Sequence, residues 1–68
     1  MSVTKVIEVI GSSTEGSDAA VHEALNAASR SIRGISSIEV MGVTCTVEDG
    51  AIARWEAHVK ILFPVEPR

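Results

Sequence analysis

Tyrosine is absent from this chain of 68 residues, and the aromatic side chains amount to Trp55 and Phe63. Basic residues are as thinly spread: Lys5, Arg30, Arg33, Arg54, Lys60 and Arg68 form no run. With a formal charge of −3, no basic patch and no row of stacking aromatics, the chain lacks the footprint of a nucleic-acid binder. Its one cysteine, Cys45, excludes an internal disulfide. No apolar stretch reaches the ~18 residues of a membrane span, and no apolar h-region marks a signal peptide. A cytoplasmic protein free of membrane contact is the expectation. Glycine-rich phosphate loops, nucleophile elbows and zinc-ligand spacings are missing as well, which points away from an enzyme and from a metal centre.

What the chain does have is aliphatic residues: 46% of it is hydrophobic. A single domain of this size, residues 1–68, buries only about 60% of its unfolded surface, so a lone core cannot use that much apolar material. The surplus predicts self-association through Ile, Val, Leu and Ala.

Two long alternating segments, Ser37–Val47 and Ala51–Phe63, meet at Glu48-Asp49-Gly50. Asp-Gly between alternating runs is a strong hairpin signal, because the tight primed turn needs positive φ at its central residues. The β-branched run Thr4–Ile10 reads as an earlier strand stopped by Gly11. Between these, Ala20, Val21, Ala24, Leu25, Ala28 and Ile32 recur with the spacing of one helix face. Ser13 or Ser17 would cap the helix, Arg30 and Arg33 would sit at its C-terminal end, and Gly34 would close it. Only the tail, Pro64–Arg68, reads as frayed.

The expected fold class is therefore α+β, a β-α-β-β unit. A right-handed crossover makes the first two strands parallel and leaves the third between them, giving a three-stranded sheet of order 1-3-2 packed on one helix. A regular two-residue hairpin would pair Ile38 with Ile61, Val40 with Val59 and Thr44 with Trp55 on the helix face, along with Gly42, Ala57 and Phe63. The other face would pair Glu39 with Lys60, Met41 with His58, Val43 with Glu56, Cys45 with Arg54 and Val47 with Ile52. Arg54 beside Cys45 would favour its thiolate, but no histidine stands close enough to act as its base. A helix of about 18 residues spans ~27 Å, less than the hairpin, so the tip near Trp55 is left for neighbouring subunits.

Taken together, K-V-I-E-V-I-G-S-S at the start, the helix with Ala19-Ala20 and Ala27-Ala28, I-E-V at Ile38–Val40, the V-E-D-G turn and the closing V-K-I-L-F-P-V resemble a dodecin over essentially the whole chain. The resemblance implies a hollow homododecamer with helices outside and sheets lining the interior. It also implies a role in binding and storing a flavin, FMN or riboflavin, without turnover. Flavin-binding dodecins place a Trp just before the hydrophobic-Glu-Val run to stack on the isoalloxazine ring, and a Gln after an aromatic in the third strand to bond its polar edge. Here those positions hold Ser37 and Glu56. Glu39, Met41 and His58 share their face and complete the candidate ligand set.

Stacking on such a ring is worth ~1–3 kcal/mol, so its loss predicts binding weaker by roughly one to two decades. An ionised Glu only accepts hydrogen bonds; it suits the flavin N3–H but repels the neighbouring carbonyl oxygens. Weak or lost flavin affinity is expected. The alternative is a dodecin shell holding another ligand, such as coenzyme A, a nucleotide or metal ions, or one with a purely structural role.

Overall fold

The computed structural model describes residues 2–65. Four elements follow one another: β1 (Val3–Ser13), α1 (Ser17–Ser29), β2 (Ser37–Glu48) and β3 (Ala51–Val65). The sheet order is β1-β3-β2, with β3 antiparallel to both neighbours. The expected β-α-β-β unit is thus the observed one. Asp49 at φ 51° and Gly50 at φ 77° give the hairpin its turn, both with the positive φ that a type I′ turn requires.

The core lies between α1 and the centre of β3. Ala20, Ala24 and Ala28 on the helix meet Ala57, Val59 and Ile61 on the strand, all buried, while Ile7, Val9, Ile38, Trp55 and Phe63 close the edges. Small residues at the same helix face let α1 settle close to the sheet. Gly11 shows how close: a Cβ there would stand 2.2 Å from the Ala20 carbonyl oxygen and 2.6 Å from the Ala24 nitrogen. Gly11 does not stop β1, contrary to the expectation from its place at the end of an apolar run. The strand continues through it to Ser13, and the missing side chain is the seat of the helix.

Ile61 and Val59 are the largest fully buried side chains, so they carry much of the hydrophobic stabilisation of so small a core. Ile61→Ala is expected to cost ~2–5 kcal/mol, measured as a drop in the thermal or urea midpoint at fixed protein concentration. A change under ~0.5 kcal/mol would mean the core is organised around other residues.

Both ends of the helix differ from expectation. Its N-cap is Gly16, at φ 152° with no side-chain cap bond, and Ser17 is the first helical residue. Ser13 instead accepts a hydrogen bond from the Glu15 N–H (2.9 Å), a local turn that leads into the helix rather than capping it. The C-terminus comes at Ser29, with Arg30 as C-cap; Gly34 (φ 74°) lies in the linker beyond. Ile32 continues the helical spacing but packs on the core from the linker.

The frayed tail is also corrected in part. Pro64 and Val65 pair with Thr4 and Val3, so β3 runs on past Phe63. Pro64 is tolerated because β2 begins opposite Leu62, which leaves that end of β3 with a free edge needing no N–H. Residues 66–68, the rest of the predicted tail, lie outside the described residues.

The molecule measures 54 × 19 × 13 Å, with a radius of gyration of 14.1 Å, against roughly 11 Å for a compact chain of this length. Its accessible surface of 5027 Å² exceeds by roughly 900 Å² the value expected for a compact protein of its mass. Thirteen helical residues span ~20 Å, whereas the fifteen of β3 span ~50 Å. The hairpin projects well past the helix.

Candidate functional site

Away from the helix, the sheet presents an open face whose backbone is β3. Arg54, Glu56, His58, Lys60 and Leu62 alternate along it, while Trp55, Ala57, Val59, Ile61 and Phe63 face α1. Rows run across the three strands at Ser12–Glu56–Thr44, Ile10–His58–Gly42, Glu8–Lys60–Glu39 and Val6–Leu62–Ser37. Directly paired residues of one row hold their Cβ atoms about 5 Å apart. The Glu56 carboxylate therefore has a hydroxyl on each flank, and Lys60 lies between two carboxylates.

This arrangement departs from the expected register in the middle of the hairpin and agrees with it at both ends. Ile38, Glu39 and Val40 pair with Ile61, Lys60 and Val59, and Val47 pairs with Ile52, as read from the sequence. Between them the register slips by one residue, with irregularities at Val40/Gly42 and Thr46/Val47 that leave Met41 and Ala53 as extra residues. The expected pairs Met41–His58, Val43–Glu56, Cys45–Arg54 and Thr44–Trp55 are overturned. Gly42 pairs with His58, Val43 with Ala57, Thr44 with Glu56, Cys45 with Trp55 and Thr46 with Arg54.

A one-residue slip exchanges faces. Val43, Cys45 and the Val47–Ile52 pair move to the helix side, and Gly42 and Thr44 move to the open face. Cys45 is half-buried beside Trp55, away from the Arg54 guanidinium, so the thiolate-favouring pair does not form.

Of the five candidate residues, Glu39, Glu56 and His58 lie on the open face, with Ser37 at its far end and Met41 in the bulge, half exposed at 51%. The structure does not bring Ser37 and Glu56 together within one chain. Ser37 pairs with Leu62, and from Leu62 to Glu56 is six positions of β3, about 20 Å at ~3.3 Å per residue. Ser12 and Thr44, beside Glu56, were missed. Gly42 in the middle of an alternating strand was the available signal, since a strand glycine often marks a bulge; Ser12 was lost by ending β1 at Gly11. Among the described residues, no group of three or more His, Cys, Asp or Glu side chains could hold a metal ion.

A second feature lies near the other end of the sheet. An open groove of about 650 Å³ separates the end of α1 from the start of β2, with Leu25, Ile32, Ile35 and Ile38 as its apolar lining and Arg33 beside them. The Ser36 N–H and hydroxyl both donate to the Leu62 carbonyl (2.9 and 3.1 Å), which fixes the linker against β3 there.

The dodecin family model matches residues 3–66. The chain belongs to the dodecin family. Among solved structures it is similar to the dodecin of Streptomyces coelicolor, at 36% identity and a TM-score of 0.92, covering 98% of this chain and 96% of that one. The dodecin of Streptomyces davaonensis matches at 30% identity, TM-score 0.90 and 97% coverage of both chains. A variant of the Thermus thermophilus dodecin superposes at TM-score 0.93 over all of both chains with 26% identity. No curated protein matches the chain. Among the described residues, no helix of this dodecin is long and apolar enough to cross a membrane.

Proposed function

We propose that this dodecin is a non-enzymatic, self-assembling binding and storage protein of the flavin-binding type, whose own affinity for FMN or riboflavin is weakened. The observation that carries the reading is the family match over residues 3–66. The open face supplies its chemistry: Ser37, Glu39, Met41, Glu56 and His58 are the ligand-facing set, with Ser12 and Thr44 added as neighbours of the Glu56 carboxylate.

Assembly follows from the same geometry. If Ser37 and Glu56 serve one ligand, their ~20 Å separation along the sheet requires them to come from different subunits. The surplus of roughly 900 Å² over a compact monomer and the exposed Val40, Val43, Val47 and Ile52 supply the surface for those contacts. A homododecamer enclosing the open faces fits this reading.

The weakened affinity rests on two side chains. Serine at position 37 offers no π-face, which removes ~1–3 kcal/mol of stacking. Glu56 accepts from a ring N–H but repels adjacent carbonyl oxygens, which an amide would contact favourably. Titration of FMN or riboflavin with the protein, followed by flavin fluorescence, is expected to show no submicromolar binding. Submicromolar quenching would overturn the weakened-site reading, and a monomer at micromolar concentration in mass photometry would overturn the assembly.

A further inference from the structure

The open face is complementary to a ligand edge unlike that of a flavin. Glu56 is half-buried, and its carboxylate stands between the hydroxyls of Ser12 and Thr44 in one row across the three strands. Ionised, it offers two acceptor oxygens side by side, and each hydroxyl can donate. The row therefore reads donor, paired acceptor, donor. An isoalloxazine edge presents acceptor, donor, acceptor, which sets carbonyl oxygens against that carboxylate. A guanine edge instead presents two adjacent donors, N1–H and the N2 amino group, and its O6 beside them accepts from a flanking hydroxyl.

The next row leaves room for the ring. His58 follows Glu56 on the same face, ~6.6 Å further along β3, and its partners are Gly42 and Ile10. A Cβ at Gly42 would meet nothing within 4 Å, and Ile10 is 60% exposed. A flat bicyclic ring held at its edge by Glu56 thus lies over a planar imidazole and a bare stretch of strand. Beyond it Lys60 stands between Glu8 and Glu39. Two carboxylates about one ammonium leave that row net negative, so it repels a phosphate and suits the hydroxyl donors of a ribose.

We infer that the open face of this dodecin takes a guanine nucleoside. The N1–H and N2 amino edge meets Glu56, the O6 meets Ser12 or Thr44, the ring covers His58 and Gly42, and the ribose points toward Lys60 and its flanking carboxylates. This rests on the proposed ligand face and names the class of ligand for it. The Glu56 carboxylate that weakens a flavin is, for guanine, the group that recognises it.

Guanosine, inosine and xanthosine, compared by equilibrium dialysis against the wild-type protein, test the edge directly. Inosine lacks the N2 amino group, and xanthosine carries a carbonyl in its place. A hydrogen bond to a charged group is worth roughly ten- to a hundredfold in affinity, so guanosine is expected to bind at least about tenfold more tightly than either. Glu56→Gln keeps the size of the side chain but exchanges one acceptor for a donor; it is expected to weaken guanosine about tenfold and bring xanthosine level with it. His58→Ala, at an exposed position, is expected to weaken guanosine at least about fivefold with the far-ultraviolet circular dichroism unchanged. Guanosine monophosphate, which adds a phosphate, and pterin, which has the same edge without a ribose, are both expected to bind more weakly than guanosine.

Inosine binding equal to that of guanosine would overturn the edge, and tighter binding of the monophosphate or of pterin would overturn the nucleoside. Retention of no nucleoside by the wild type, together with flavin binding gained on Ser37→Trp with Glu56→Gln, would overturn the ligand class and leave the ligand face standing. Absence of both would overturn the reading of that face.

Discussion

Gly11→Ala is expected to dislodge α1 from the sheet and remove the cooperative thermal transition of the protein. The added Cβ would stand 2.2 Å from the Ala20 oxygen, 2.6 Å from the Ala24 nitrogen and 2.9 Å from the Ala24 Cβ. Two of these three are backbone atoms, so no rotamer change relieves the clash. The helix must rise as a body, and Ala20, Ala24 and Ala28 then lose their packing on Ala57, Val59 and Ile61 together. Overpacking of ordinary side chains costs ~1–3 kcal/mol, and a rigid backbone clash lies at or above that range. A domain of this size rarely has more than ~3–5 kcal/mol to lose. The check is a thermal melt at fixed protein concentration, because assembly contributes to the midpoint. A midpoint lowered by at least ~10 °C, or no transition, is expected; one within ~2 °C of wild type would show that α1 and β1 are not held at this distance.

The second large effect is a gain. Ser37→Trp with Glu56→Gln is expected to raise flavin affinity by ten- to a hundredfold or more. Stacking contributes roughly one to two decades, and the amide adds a donor where the carboxylate had only acceptors. Ser37 is an exposed residue at the start of β2, and Glu56 lies on the open face away from the core, so neither change disturbs the packing of α1. The geometry adds a second test. Because the two positions lie ~20 Å apart in one chain, their effects should couple only in the assembled protein. The double variant combined with Ile52→Asp should lose the non-additive part of the gain. No gain in the assembled protein would mean that the open face is not the ligand face.

Much of this was legible in the sequence, and the exceptions have physical causes. Asp49-Gly50 announced the turn because few other residue pairs take two positive φ values in succession. Alternation then located both arms, and the single helix between two strands left one topology to consider. The pairings nearest the turn and farthest from it came out as read, since the turn anchors one and the apolar Ile38–Ile61 and Val40–Val59 pairs anchor the other. The middle failed because a bulge adds a residue without altering the hydrophobic pattern beside it. Val43 and Cys45 are as acceptable on one face as on the other. Gly11 failed for a related reason. A glycine at the end of an apolar run reads as punctuation, and only the helix overhead reveals it as a contact. The candidate site inherits both errors, which is why Ser12 and Thr44 join Glu56 only once the strands are paired.

The two bulges have a consequence for how this hairpin can vary. Met41 and Ala53 are each one residue more than their partner strand needs. Deleting either would rejoin the ladder with the remaining pairs unchanged: Val40 would stay opposite Val59 and Gly42 opposite His58, or Thr46 opposite Arg54 and Val47 opposite Ile52. Bulges bend a strand and sharpen its twist. The curvature of the projecting arm is thus written in two residues whose removal leaves the pairing of every other residue unchanged. Chain length could change by one at either place, bending the arm differently while the remaining side chains of both faces stay in step.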